Sequence, residues 1–211
     1  GESVSWNDVI VGRPMILDHW NFPENSRQTV VTYTNAHSVE LLVNGRSVGI
    51  KENNSSQKDQ RNSILWTDVD YAQGGSVEAV ARNEAGQVVA RHRIETAGKA
   101  VKLVMEPEDR QWRADGMDLQ YVNITAVDAK GYIVPDFSEP LTVSLSDTTV
   151  ARTLALDNGD HYTNDLFNNV FTKPMRQGRM QLILRSTRKA GAVKVNVKAG
   201  SLKQTLKTAT K

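Results

Sequence analysis

The chain has 211 residues, 39% hydrophobic and 24% charged, which is the composition of one large or two small folded domains rather than of a disordered or low-complexity segment. No apolar run approaches the roughly 18 residues of a membrane-crossing helix, and the absence of cysteine excludes disulfides, thiolate zinc sites, thiol catalysis and iron–sulfur clusters. From Leu166 to Lys211 there are eleven basic residues and no acidic one, against 15 basic and 24 acidic in the rest of the chain.

Such asymmetry can attract an anionic partner, or it can complement another part of the chain or a neighbour. Nucleic acid is disfavoured as that partner, because no stacking aromatics are interleaved with the basic residues.

The chain opens on Gly1-Glu2-Ser3, without an initiator Met or a signal-peptide core, and reads as a processed start or an excised piece. Residues 1–17 read as a connecting segment with Trp6 as an anchor. The dominant period thereafter is two. Val39, Leu41 and Val43 alternate with Glu40, Leu42 and Asn44, and Asn44-Gly45 is a strong hairpin signal leading into Arg46–Ile50. Val77, Ala79 and Ala81 alternate with Glu78, Val80 and Arg82, predicting an apolar face and a mostly polar one. Glu84-Ala85-Gly86-Gln87 turns the chain into Val88–Ile94.

A boundary is predicted at Thr96-Ala97-Gly98-Lys99, before a new strand at Val101–Met105. Leu119–Val127 reads as a strand ended by Asp128-Ala129-Lys130-Gly131. Ala192–Lys198, where Val193, Val195 and Val197 alternate with Lys194, Asn196 and Lys198, lies between Ala190-Gly191 and Ala199-Gly200. The spacing predicts about six strands before the boundary and eight or nine after it, with no helix longer than two turns. The fold class is therefore all-β, with two tandem immunoglobulin-like β-sandwich domains at 18–97 and 98–211.

The stretches Asp18-His19-Trp20-Asn21-Phe22, Val30-Val31-Thr32-Tyr33-Thr34-Asn35 and Val39-Glu40-Leu41-Leu42-Val43-Asn44-Gly45-Arg46-Ser47-Val48-Gly49 resemble the segment following the catalytic barrel of β-galactosidase-type family 2 glycoside hydrolases. Trp66, Val69, Tyr71, Val77–Ala81 and Thr96-Ala97-Gly98 are similar to the rest of that module. Ala114–Leu119, Val127–Gly131, Asn158-Gly159-Asp160 and Leu184–Thr187 with Ala190-Gly191 resemble an invasin-like, bacterial immunoglobulin-like module that ends many such enzymes.

The resemblance implies a parent that cleaves terminal β-glycosidic bonds with retention, using two carboxyl groups about 5–5.5 Å apart on an (β/α)8 barrel. A barrel takes about 250 residues and alternating helices, so no catalytic residue is assigned here. The implied role is a non-catalytic accessory region whose partner is the catalytic barrel of its own parent chain. The alternative is an autonomous carbohydrate-binding module with glycan as partner. Neither role calls for a cofactor, nucleic acid or a membrane. The resemblance also implies a bacterial periplasmic or extracellular location.

Sugar faces stack on exposed indoles, so Trp112, set between Gln111 and Arg113 near a turn, is the best exposed carbohydrate-binding candidate, while core or inter-domain packing is the favoured reading for the tryptophans overall. Trp20 and His19 are further candidates, but Trp20 reads first as an anchor of the first sandwich or of its contact with the catalytic domain, and His19 as a packed or surface histidine rather than one facing the barrel. Trp66, after Ile64-Leu65, reads as core, and core packing competes with binding for every Trp. Asp157 and Asp160, with Asp165 nearby, are candidate Ca²⁺ ligands in Asp157-Asn158-Gly159-Asp160. The missing bidentate Glu favours a plain turn instead. His19, His37, His92 and His161 lie at no metal-ligand spacing. The carboxylate groups Glu106/Glu108/Asp109 and Asp115/Asp118 lie beside turns, without the neighbours that would tune a catalytic acid. Asn123-Ile124-Thr125 matches a glycosylation sequon in mid-strand.

Overall fold

The computed structural model describes residues 16–54, 56, 62–108, 111–160, 164, 166 and 168–211. Trp6, Asp109, His161 and Asp165 lie outside the described residues. The chain divides into two compact units, Gly1–Thr96 and Ala97–Lys211, and the described residues contain strands and turns but no helix. Every pairing between named strands is antiparallel.

In the first unit, β1 (Ser26–Tyr33) pairs with β4 (Ser63–Tyr71). A second sheet has the order β3-β2-β5-β6, built from β2 (Ser38–Val43), β3 (Arg46–Glu52), β5 (Ser76–Arg82) and β6 (Val88–Glu95). Asn44 and Gly45, both at positive φ (50° and 76°), close the β2–β3 hairpin as the sequence predicts. The Asn44 side chain is itself a clasp: Oδ1 accepts the Ser76 amide at 2.7 Å and Nδ2 donates to the Gly74 carbonyl at 3.2 Å. Gly75 must be glycine there, because a Cβ would fall 1.8 Å from Asn44 Oδ1.

The core between these sheets joins Val39 and Leu41 to Ile64, Trp66, Val69 and Tyr71. Strict alternation along β4 would put Val69 and Tyr71 on the wrong face after Ile64 and Trp66. A bulge corrects this: the register shifts between Gln28 and Val30, so Thr67 and Asp68 (φ 56°) oppose Thr29 alone. The Trp66 indole N–H donates to Thr32 Oγ1 at 3.2 Å inside this core.

Alternation in β5 is less simple than its pattern implies. Val80 points to the polar face and is nonetheless 1% exposed. Its cross-strand neighbours are Glu40 and Arg91, and that face carries the ion pairs Glu40–Arg82 (3.1 Å), Glu78–Arg91 (2.8 Å), Glu78–Arg93 (3.7 Å) and Glu95–Arg93 (3.0 Å). Long charged side chains lay their methylene stems over a central strand while the heads stay wet. Val80 is therefore buried under a lattice of charge.

The second unit packs two four-stranded sheets face to face. One has the order β10-β12-β8-β7, from β7 (Lys102–Pro107), β8 (Leu119–Val127), β10 (Ala151–Asp157) and β12 (Arg179–Ser186). The other has the order β11-β9-β13-β14, from β9 (Pro140–Leu145), β11 (Thr172–Pro174), β13 (Gly191–Ala199) and β14 (Leu202–Thr210). The inward rows follow period two closely: Val122, Ile124 and Ala126 on β8, Met180, Leu182 and Leu184 on β12, and Val193, Val195 and Val197 on β13. Each fully buried aliphatic side chain removes enough apolar area from water to contribute about 1.5–3 kcal/mol, and this row structure makes the unit's core continuous.

Candidate functional site

The segment holding His19 and Trp20 precedes β1 and turns inward because three aromatic rings meet there. Trp20 stands edge-on to Phe22 (centroids 5.5 Å, 82°) and Tyr71 (5.4 Å, 74°), and Phe22 stands edge-on to Tyr71 (5.7 Å, 83°). Edge-to-face packing places the positive rim of one ring on the negative face of the next. Thr96 Oγ1 donates to the Trp20 carbonyl, tying the segment to the end of the unit. Trp20 is 3% exposed, and its indole N–H is buried without a hydrogen-bond partner. His19 is half-buried against Phe22 (centroids 5.3 Å), and its Nδ1 accepts the Asn21 amide at 3.2 Å. The expectation that Trp20 offers a sugar-stacking face is corrected: both faces of its ring are spent on the core. His19 keeps an accessible edge.

Trp112 is likewise corrected. It is 2% exposed and belongs to the core of the second unit. Residues beside it form a short ladder on the chain terminus: the Lys211 amide donates to the Trp112 carbonyl at 2.9 Å and the Ala114 amide to the Lys211 carbonyl at 2.8 Å. The indole N–H donates to the Asp118 carbonyl at 3.2 Å. In an extended segment Gln111 and Arg113 point to one side and Trp112 to the other, so its polar neighbours signal burial of the indole rather than exposure.

Asp115 and Asp118, a carboxylate pair by sequence, are the clasp of this turn. Asp115 Oδ1 accepts the amides of Met117 (2.8 Å) and Asp118 (2.7 Å), and Asp118 Oδ2 accepts the Arg113 amide at 2.8 Å. These hydrogen bonds, the Met117 amide first, hold the Asp115 carboxyl below its ordinary range. Glu40, Asp128 and Asp147 are shifted the same way, led respectively by the Arg82 side chain, the Gly98 amide and the Thr149 hydroxyl. A general acid in glycoside hydrolysis needs the opposite shift, and these four carboxylates are shifted toward their ionised forms.

The loop after β10 is a turn held by two of its own side-chain oxygens. Asp157 Oδ1 accepts the Gly159 amide at 2.9 Å, and Asn158 Oδ1 accepts the Asp160 amide at 3.1 Å. Asn158 Nδ2 donates to the Pro174 carbonyl, and Arg176 donates to the Gly159 carbonyl at 2.9 Å. A guanidinium on the loop carbonyl opposes a cation there. Among the described residues no three His, Asp or Glu side chains gather around a metal-sized point.

Trp20 and His19 belong to the first unit and Trp112 to the second. The sequence reading missed two arrangements. One is Asp128, which collects three backbone amides while 4% exposed. The other is the outer face of the β11-β9-β13-β14 sheet, where the lysines alternating with the valines of β13 meet further lysines of β14. The alternation in β13 was legible, but its pairing partner was not.

Residues 103–207 match the family described as glycoside hydrolase family 2 C-terminal domain 5, and residues 26–90 match a domain of unknown function (DUF4982). The β-galactosidase BoGH2A of Bacteroides ovatus is 30% identical over 190 residues, covering 90% of this chain and 21% of that protein. A β-glucuronidase of Formosa agariphila is 24% identical over 191 residues, covering 89% of this chain and 18% of that protein. Among solved structures, a glycosyl hydrolase family 2 member from Bacteroides cellulosilyticus superposes with a TM-score of 0.84 at 31% identity, covering 92% of this chain and 24% of that one. The chain therefore spans about a fifth to a quarter of the length of these relatives.

Proposed function

This chain is a C-terminal region of the family 2 glycoside hydrolases, and from that premise we propose that it is a non-catalytic accessory region of a β-galactosidase-like glycosidase, supporting the catalytic barrel of the same parent chain. The parent hydrolyses terminal β-glycosidic bonds with retention, through two carboxyl groups about 5–5.5 Å apart that another part of the parent supplies. The observation that supports this reading is that residues 103–207 match a family 2 C-terminal domain and the described residues form only antiparallel sheets, without the alternating helices of a catalytic barrel. The lowered pKa values of Glu40, Asp115, Asp128 and Asp147 suit none of these four to the general-acid role.

The competing reading, a carbohydrate-binding module centred on Trp112, loses its main support with the burial of that indole. The test of the accessory role uses the 211-residue chain with 4-nitrophenyl β-galactoside and 4-nitrophenyl β-glucuronide. No turnover above a heat-denatured control is expected for the chain alone. Turnover that copurifies with the chain through successive columns would refute the proposal.

A further inference from the structure

Two outer sheet faces of this chain handle charge in opposite ways. On the β3-β2-β5-β6 face, Arg82, Arg91 and Arg93 each meet a glutamate. On the β11-β9-β13-β14 face, Lys194 lies directly across from Lys207 and Lys198 directly across from Lys203. The four strands of that sheet contain no Asp or Glu at all. All four lysines are exposed, and none forms an ion pair among the described residues.

Like charges directly opposite one another on a sheet are destabilising, so the folded chain carries a standing repulsion that a polyanion would relieve. Lys194 and Lys198 are four residues apart, about 13 Å along the strand, and each has its partner on the adjacent strand. Between the two lysine pairs, Thr205 Oγ1 donates to Asn196 Oδ1 at 2.8 Å. Beyond them, the hydroxyls of Thr142 and Thr172 meet at 3.0 Å across β9 and β11. The result is a four-cornered group of cations set among hydroxyl and amide groups.

We propose that this face binds a linear anionic polysaccharide, one bearing uronate carboxylates or sulfate esters. The lysines are compact point charges for such groups, and the Thr and Asn side chains are donors and acceptors for sugar hydroxyls. The outward rows of β13 and β14 carry no aromatic side chain on which a nucleic-acid base could stack. Their only apolar members, Ala192 and Ala209, are too small to enter a lipid surface or to anchor a protein interface. The inference is independent of support for a catalytic barrel: the chain can fail the turnover test above and still bind, or pass it and not bind.

The test is affinity electrophoresis of the 211-residue chain in gels holding polygalacturonate, chondroitin sulfate or neutral galactan, with an oligo-dT and phosphatidylserine vesicles as rival anions. Retardation by at least one of the two anionic polysaccharides, and none by galactan, is expected, weakening steeply as salt rises. The combined variant K194Q/K198Q/K203Q/K207Q loses about tenfold in affinity, as four solvent-exposed charge contacts would. A control with the same charge change elsewhere, R46Q/K99Q/R152Q/R188Q, stays close to the unaltered chain. The proposal is overturned if neither polysaccharide retards the chain, if the two variants lose affinity equally, or if oligo-dT or the vesicles bind more tightly than both polysaccharides.

Discussion

Asp128 shows what a single side chain does in this fold. It directly follows β8, is nearly fully buried, and accepts amides from Gly98, Lys130 and Tyr132, each at 2.9 Å. Burial alone would raise its pKa; the Gly98 amide, followed by those of Tyr132 and Lys130, outweighs burial and lowers it. A carboxylate with a lowered folded-state pKa stabilises the protein fully above its unfolded value of about 3.9, and that contribution disappears as pH falls through the lowered value. Urea midpoints are therefore expected to be flat for this group above about pH 5 and to decline below about pH 4. Asp128→Asn is expected to cost about 1–3 kcal/mol at pH 7, because a buried amide loses its acceptor, and to make the acid decline shallower. Equal stability of the two proteins at pH 7, or an unchanged acid profile, would contradict this account. In the sequence, Asp128-Ala129-Lys130-Gly131 is readable as a turn. That Gly98, thirty residues earlier, is the strongest donor is not readable, because only the fold brings it there.

At the scale of elements, two tight turns of the same kind differ only in surroundings. Asn44-Gly45 and Gln177-Gly178 both hold two successive residues at positive φ, the geometry of a type I′ hairpin turn. A Cβ on Gly45 would meet nothing within 4 Å, whereas one on Gly178 would lie 2.4 Å from the Val134 carbonyl oxygen. The Gly178 amide also donates to the Phe137 carbonyl at 3.1 Å, and its own carbonyl accepts the Ala126 amide at 2.8 Å. Gly45→Ala is expected to cost about 1–2 kcal/mol, the backbone penalty alone. Gly178→Ala is expected to cost clearly more, since backbone must move. Chemical denaturation of the two variants gives the order, and a Gly45→Ala effect equal to or larger than that of Gly178→Ala would refute the explanation. Asn-Gly announces its turn; Gln-Gly does not, because Gln lacks the short side chain that favours left-handed backbone.

At the scale of the whole molecule, the second unit has two four-stranded sheets and one core cluster of its own, from Leu103 to Ala199. Residues 97–211 expressed alone are therefore expected to unfold in one cooperative step in urea. Trp112, the one tryptophan in that stretch, should report the transition, with blue-shifted emission before it and solvent-like emission after. Gradual loss of signal, or solvent-like emission in buffer, would show that the unit depends on more than itself. The same experiment verifies the burial of Trp112, on which the weakening of the carbohydrate-binding module reading depends.

Alternating patterns, Asn-Gly and Ala-Gly turns and the lack of helical periodicity were enough to determine an all-β chain of two sandwiches, because side-chain period is a local property of the backbone. The family resemblance rested in part on residues that the fold places in or beside the first core, such as Trp20, Trp66 and Tyr71. Local pattern did not decide which tryptophans are covered, where the β4 bulge resets the inward face, or which lysines stand opposite lysines. Those outcomes depend on strand pairing between residues distant in sequence, and only the folded chain fixes that pairing.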